Sequence, residues 1–233
     1  MENKEVFRRI ETKYLLDKDV YEELMKRLDR YLEKDKHYKS TICNIYFDSQ
    51  NNDLIINSIN KPIYKEKVRV RSYNVPTLDD KVFFELKKKY SGIVGKRRIE
   101  LKLCELYRYL ETGELCEGDV QVRKEIDYCF KKYKLMPKIF IGYDRLSYYD
   151  KNDINFRITF DTNLRSRDDN LLLESGDDGE KYFKDGKVIM ETKALGSYPL
   201  WFTKILSSLK IYPNSFSKYG SIYCSKIKEE CYV

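Results

Sequence analysis

Apolar and polar residues alternate through several separate stretches of the chain, and elsewhere the apolar positions recur at helical spacing. In FRRIETKYLL, residues 7–16, extended geometry puts Arg9, Glu11 and Lys13 on one face and Ile10, Thr12 and Tyr14 on the other, which predicts a strand. Asp17 is placed to cap a helix through DKDVYEELMKRLDRYLEK, where Val20, Leu24, Leu28 and Leu32 repeat. A second strand is expected over Lys39–Asp48, and NNDLIINSIN reads as a short helix. Lys65–Tyr73, Lys81–Tyr90 and Val94–Leu103 have strand length and are separated by turn material at 74–76 and 91–92, so they predict an antiparallel meander. Cys104–Glu111 and Val120–Tyr133 read as helices, Lys138–Tyr149 and Asn155–Asp161 as strands, and 167–180 as an acidic, turn-rich stretch. KYFKDGKVIMETKA is expected to be a hairpin, because Asp185-Gly186 suits a type I′ turn. Tyr198–Leu209 reads as an amphipathic helix with Pro199 near its first turn, and the tail after 215 mixes aromatic and basic residues. No repeat, low-complexity stretch or linker divides the chain, so residues 1–233 are expected to form a single domain of the α+β class.

The polar faces of these strands carry an unusual amount of positive charge. Lys65, Lys67, Arg69 and Arg71 share one face of their strand, with Val68 and Val70 opposite. Phe83, Glu85, Lys87 and Lys89 oppose Val82, Phe84 and Leu86, and Lys96, Arg98, Glu100 and Lys102 oppose Ile99 and Leu101. Arg145, Arg157 with Thr159 and Asp161, and Glu191 with Lys193 supply further polar rows. A wet face on an amphipathic sheet accounts for any one strand. Together the rows call for more, since like charges on neighbouring strands repel by a few tenths to about 1 kcal/mol per pair. A bound polyanion would relieve that repulsion, and a closed barrel with this face inward would be a basic tunnel whose cations give phosphates charge-assisted hydrogen bonds. Glu11, Glu85, Glu100 or Glu191 could then hold Mg²⁺ or Mn²⁺ through hard oxygen ligands.

Composition narrows the chemistry. The 233 residues carry 45 Lys+Arg against 38 Asp+Glu, a net charge of +7, and are 42% hydrophobic with 21 Tyr and 11 Phe, enough to build a core. Charges fill the opening residues where a signal peptide needs an apolar run, and no segment approaches the roughly 18 apolar residues of a membrane span; a soluble, cytoplasmic protein is expected. Six Cys without a C-x-x-C pair are expected to be reduced thiols and offer no zinc spacing. The single histidine, His37, lies in the charged run EKDKHYK and is expected to face water, which leaves Lys, Arg, Asp, Glu or a metal to carry any reaction. Gly92-Ile-Val-Gly95-Lys96 is too short for a phosphate-binding loop and reads as a hairpin. Nucleic acid is not expected as a partner, because Val70, Phe84, Ile99 and Leu101 fall opposite the cations rather than among them.

Several short motifs, in order along the chain, sharpen this reading. They are R-x-E-x-K-Y at Arg9–Tyr14, YFD at Tyr46–Asp48, V-R-V-R at Val68–Arg71, FELK at Phe84–Lys87 and Gly95-Lys96-Arg97, then the Arg145 strand, F-R-I-T-F-D at Phe156–Asp161, M-E-T-K at Met190–Lys193 and F-S-K-Y at Phe216–Tyr219. The set resembles the polyphosphate polymerase domain of the vacuolar transporter chaperone family, a branch of the CYTH-like triphosphate tunnel metalloenzymes. The resemblance implies an antiparallel β-barrel, the triphosphate tunnel, with helices packed outside. It implies that Lys13, Arg69, Arg71, Lys87, Lys96, Arg145 and Arg157 contact the phosphates of ATP and of a growing polyphosphate. Lys218 would lie by the transferred phosphoryl group, with Arg69, Arg71 and Lys87 completing the catalytic set. Glu191 would be the principal ligand of Mn²⁺ or Mg²⁺, with Glu11 and Glu85 as further candidates. Related tunnel enzymes open with E-x-E-x-K; here Arg9 holds the first glutamate position, which favours the polymerase branch over tripolyphosphatases and adenylate cyclases. An inorganic or nucleoside triphosphatase and a non-catalytic polyphosphate- or nucleic-acid-binding protein remain the alternatives.

Overall fold

A computed structural model describes residues 9–114 and 120–231. The strands are β1 (Arg9–Leu16), β2 (Leu32–Asp48), β3 (Tyr64–Tyr73), β4 (Lys81–Tyr90), β5 (Ile93–Lys102), β6 (Met136–Asp150), β7 (Asp153–Arg167), β8 (Glu180–Lys181) and β9 (Val188–Leu195). The helices are α1 (Lys18–Leu28), α2 (Asp53–Ile59), α3 (Leu103–Thr112), α4 (Val120–Tyr133), α5 (Leu200–Ser208) and α6 (Lys218–Cys231). The class is α+β, with a large antiparallel sheet ordered β1-β9-β7-β6-β2-β3-β4-β5 and β8 beside β7. Among the described residues β1 and β5 end this ladder, and hydrogen bonds do not close it. The chain divides into two compact units, and β2, β6 and β7 contribute residues to both.

The first unit comprises residues 9–40, 143–164 and 183–216. Its core is the apolar face of β1, β7 and β9 (Tyr14, Leu16, Phe156, Ile158, Phe160, Met190) packed with Leu24 and Leu28 of α1 and Phe202 of α5. Leu32 belongs to this core too, though not in a helix as its spacing predicts: α1 stops at Leu28, and a turn at 29–31 starts β2 with Leu32 still directed inward. Asp17 occupies the N-cap position of α1 but makes no side-chain cap; its carboxylate pairs with Lys187 Nζ at 3.1 Å. The expected hairpin around Asp185-Gly186 does not form. Of that pair only Gly186 is left-handed (φ 73°), whereas a type I′ turn needs both residues so. Both edges of β9 are taken by β1 and β7, so β8 pairs with β7 instead.

The second unit comprises residues 41–114, 120–142, 165–182 and 217–231. Val68, Val70, Phe84, Leu86, Ile99 and Leu101 form the apolar face of β3–β5, covered by Leu106 and Tyr109 of α3 and Ile126 and Cys129 of α4. The tail left unassigned by the periodicity is the helix α6, held at Tyr219, whose hydroxyl donates to Asp48 Oδ2 at 3.2 Å. Asp48 also accepts backbone N–H groups of Ser49, Leu54 and Ile55 at 2.8–2.9 Å and so fastens the start of α2. Cys43, Cys104, Cys129 and Cys224 are free thiols, while Cys116 and the Cys231 side chain lie outside the described residues. His37 is exposed.

Candidate functional site

In the second unit the ladder registers turn strand parity into a surface. Tyr46, Arg69, Glu85 and Arg98 form one rung across β2–β5. Asn44, Arg71, Phe83 and Glu100 form the rung on one side of it, and Lys67, Lys87 and Lys96 the rung on the other. Six cations therefore share this face with one buried carboxylate, Glu85; Glu100 is taken by Lys81 at 2.7 Å.

Glu85 is the counter-ion of the group. Arg69 Nε and Nη2 donate to its Oε2 at 2.8 and 2.7 Å, while Lys96 Nζ and Arg98 Nε stand 2.6 and 3.4 Å from Oε1. Burial works to raise its pKa, but Arg69, Arg71 and Lys96 outweigh that and bring the carboxyl down from 4.5 to about 2. Arg69 Nη1 also donates to the Tyr46 hydroxyl at 3.0 Å. Burial again pushes upward, yet the charges of Arg69, Arg71 and Lys67 hold this phenol at about 8. Arg71 is buried and donates through Nε to Asn44 Oδ1 at 3.0 Å, and Asn44 in turn donates to Ile141 O at 2.9 Å. Lys67 Nζ donates to Ser217 Oγ at 2.9 Å, which fixes the residue before Lys218. Lys218 opens α6, half-buried, and Lys87 stands exposed in the outer rung.

The first unit carries a second group. Register places Lys13, Glu191 and Thr159 in one rung and Glu11, Lys193 and Arg157 in the next. Glu191 is nearly buried, with Lys193 Nζ at 2.8 Å and Lys13 Nζ at 3.9 Å. Desolvation opposes its ionisation, and the charges of Lys193, Lys13 and Arg145 overcome it, so the carboxyl lies far below the usual range. Arg145 grips Asp161 through both prongs of its fork, at 2.6 and 2.7 Å. Lys13 Nζ also reaches the carbonyl of Phe216 at 3.3 Å. Arg157 and Glu11 are more peripheral: Arg157 is exposed and 3.7 Å from Asp35, and Glu11 is exposed opposite Lys193.

The eleven site residues expected from the sequence thus gather as Lys13, Glu11, Arg145, Arg157 and Glu191 in the first unit, and Arg69, Arg71, Glu85, Lys87, Lys96 and Lys218 in the second. Sequence reasoning assigned no role to Tyr46, Asn44 or Asp161. The signal was available for Tyr46 and Asp161, which fall at period-2 positions of YFD and F-R-I-T-F-D on the charged faces. For a divalent cation the donor set is sparse. Among the described residues no three His, Cys, Asp or Glu side chains converge. Mg²⁺ and Mn²⁺ held chiefly by substrate phosphates need only one or two carboxylates; Glu191, the expected ligand, is ionised but paired with Lys193 and Lys13. Glu85 is likewise ionised and paired, with Arg69, Lys96 and Arg98, so either carboxylate would have to exchange a cation for the metal.

Both units thus carry Arg and Lys paired with buried carboxylates, Glu85 in one and Glu191 and Asp161 in the other. The VTC domain family model matches residues 8–226, and the chain belongs to that family. Among solved structures it is similar to a candidate adenylate cyclase from Bacillus halodurans, at 15% identity over 90% of this chain and 93% of that one, with a TM-score of 0.54, a likeness of fold. A protein from Pyrococcus horikoshii (15% identity, 94% and 99% covered, TM-score 0.49) and a candidate adenylate cyclase from Vibrio parahaemolyticus (11%, 93% and 98%, 0.46) are weaker likenesses. Comparison with curated proteins finds no match. No helix among the described residues is long and apolar enough to cross a membrane.

Proposed function

We propose that this protein is a metal-dependent polyphosphate polymerase of the cytoplasm, moving the γ-phosphoryl group of ATP onto the end of a polyphosphate chain, with ADP leaving. The observation that carries the reading is the surplus of cations around Glu85: Arg69, Arg71, Lys67, Lys87, Lys96 and Arg98 surround one carboxylate on a continuous sheet face. Phosphoryl transfer asks for alignment and positive charge around the moving group rather than covalent help. Arg69 and Arg71, two residues apart on one face, offer forks for neighbouring phosphates, and Lys96 and Lys87 offer point charges beside them. Lys218, next to the Ser217 that Lys67 anchors, is the cation we assign to the transferred group. In the first unit Lys13, Arg145 and Arg157 would bind further phosphate oxygens. Glu191 would hold Mn²⁺ or Mg²⁺, which when bound neutralises charge on the bridging phosphate oxygens. Closure of the sheet into a tunnel, as the family resemblance implies, belongs to this proposal.

Purified protein incubated with ATP and Mn²⁺ or Mg²⁺, with ADP, phosphate and polyphosphate resolved on a gel, tests it. The expected result is ADP together with a polyphosphate ladder. Release of phosphate without chain growth would make the protein a triphosphatase. Absence of turnover with either metal, alongside tight tripolyphosphate binding, would leave a binding protein.

A further inference from the structure

The β4–β5 hairpin turns at Ser91 and Gly92, both left-handed (φ 44° and 86°), as a two-residue type I′ turn requires. Ser91 N donates to Ile63 O at 2.9 Å, which ties the residues before β3 to the turn. Tyr64, Tyr90 and Ile93 lie in one rung across β3, β4 and β5, beyond the core that Val68, Leu86 and Ile99 already close. The apex is apolar and in water: Ile63 is 71% exposed, Tyr90 63% and Ile93 75%. Among the described residues no rung of the sheet continues past them.

Cations stand just behind the apex. Lys65 and Lys89 are directly opposed on β3 and β4, and Lys61 lies on the approach to β3. Lys61 and Lys89 have no acidic partner among the described residues, and Lys65 donates to the carbonyl of Ser58 at 3.2 Å. Three cations with no carboxylate of their own, set behind exposed apolar side chains at the end of a hairpin, form an amphipathic apex. Its two chemistries match the two layers of a bilayer surface, apolar groups at the acyl boundary and cations at anionic headgroups.

We propose that this hairpin tip docks peripherally on an anionic lipid bilayer, with Ile63, Tyr90 and Ile93 entering the interface and Lys61, Lys65 and Lys89 pairing with headgroup phosphates. A protein partner fits less well, since a specific interface covers roughly 800 Å² on each side, and the exposed apolar groups here are confined to the few residues at the turn. A nucleic acid or free polyphosphate would answer the lysines and leave the apolar apex in water. Lys65 and Lys89 form the rung beside Lys67 and Lys87 on the proposed phosphate-binding face, whereas Tyr90 and Ile93 lie at the opposite parity, so the apolar half of the inference is independent of the phosphoryl-transfer reading and the apolar variants carry its test.

Flotation with phosphatidylcholine vesicles, with and without phosphatidylglycerol, tests it on the full chain. The protein should float with phosphatidylglycerol vesicles and stay behind with phosphatidylcholine alone. Tyr90→Ser/Ile93→Ser should lower the bound fraction at least about tenfold while tripolyphosphate affinity stays at the parent value. Lys61→Glu, outside the sheet, should lower it by about fivefold or more, and added salt should weaken the parent. Ile63→Ser, outside any strand, replaces the double variant if that melts below the parent. Three results overturn the proposal: no flotation with phosphatidylglycerol vesicles, undiminished flotation of the apolar-tip variants, or loss of tripolyphosphate binding in a folded apolar-tip variant. The second would mean adsorption by the cations alone, and the third would return the tip to the phosphate-binding face.

Discussion

Glu85→Gln tests most directly how the second unit holds its cations. The amide is nearly isosteric with the carboxylate and keeps the site polar, so the change removes charge and little else. In the fold this carboxyl lies at about 2 against an ordinary 4.5. A depression of that size corresponds to about 3 kcal/mol of preferential interaction with the ionised form. The side chains of Arg69, Lys96 and Arg98 are 23%, 46% and 37% exposed, so water can solvate the cations that Gln leaves behind. The net loss of stability at neutral pH should therefore fall between about 1 and about 3 kcal/mol. Its pH dependence has a definite sign. Because the folded pKa is the lower one, the stabilisation is complete above 4.5 and disappears as pH falls toward about 2, so parent and variant should converge in acid. Urea denaturation across that range measures it. Tripolyphosphate supplies the second arm: with Glu85 gone, Arg69, Lys96 and Arg98 are a like-charged cluster awaiting an anion, and the ligand-induced rise in melting temperature should exceed that of the parent. A variant within about 0.5 kcal/mol of the parent at neutral pH, or a gap that does not shrink in acid, would refute the counter-ion assignment. A ligand shift no larger than the parent's would refute the exchange of Glu85 for phosphate.

Three further outcomes follow from the same contacts. Glu191→Gln should keep the fold while Mn²⁺-dependent turnover drops by more than about tenfold, read as ADP release; activity within about threefold of the parent would remove Glu191 from the metal role. Arg69→Lys should weaken tripolyphosphate binding by about tenfold, about 1.4 kcal/mol by calorimetry, because the planar fork that spans Glu85 and Tyr46 is lost though the charge remains. Tyr219→Phe should cost about 1 kcal/mol in denaturant unfolding by removing the α6 bond to buried Asp48, and it should also lower turnover if Lys218 depends on that anchor; unchanged turnover would separate Lys218 from the reaction.

Strand faces were legible in the sequence because side-chain period in a strand is fixed at two, so Lys67, Arg69 and Arg71 had to share a side once β3 was recognised. What the pattern cannot carry is register. That Glu85 meets Arg69 on one neighbour and Arg98 on the other depends on where the turns at 74–80 and 91–92 set the ladders. The expectation that Arg69 and its neighbours repel without relief was formed without that pairing, and Glu85 supplies the relief. Leu32 shows a different limit: Leu28 and Leu32 are both buried in one core, and that burial is satisfied equally by a continuing helix or by a helix that ends and a strand that begins. Asp185-Gly186 had suitable turn chemistry, but local preference yielded to β9 being claimed on both edges. α6 gave no clear periodic signal because its polar and aromatic residues interleave, and its position depends on the tertiary contact between Tyr219 and Asp48.

The counter-ions also bear on selectivity. In the second unit Arg69, Lys96 and Arg98 already share Glu85, and in the first Lys13 and Lys193 share Glu191. An incoming anion must therefore compete with a carboxylate that is already in place and already desolvated. A single phosphate group offers little more than that carboxylate, since both present a compact anionic oxygen cluster to the same donors. A phosphate chain differs because it can extend to the neighbouring rungs, about 6–7 Å away along the strand: Arg71 on one side of Arg69, Lys67 with Lys87 on the other. Contacts to those outer rungs are gained without displacing Glu85, so affinity should rise with the number of linked phosphates rather than with the identity of the group at the end of the chain. If the proposed function holds, tripolyphosphate and longer chains should bind this face more tightly than a single phosphate, and Glu85→Gln should narrow that difference; equal affinity for phosphate and tripolyphosphate would refute the argument.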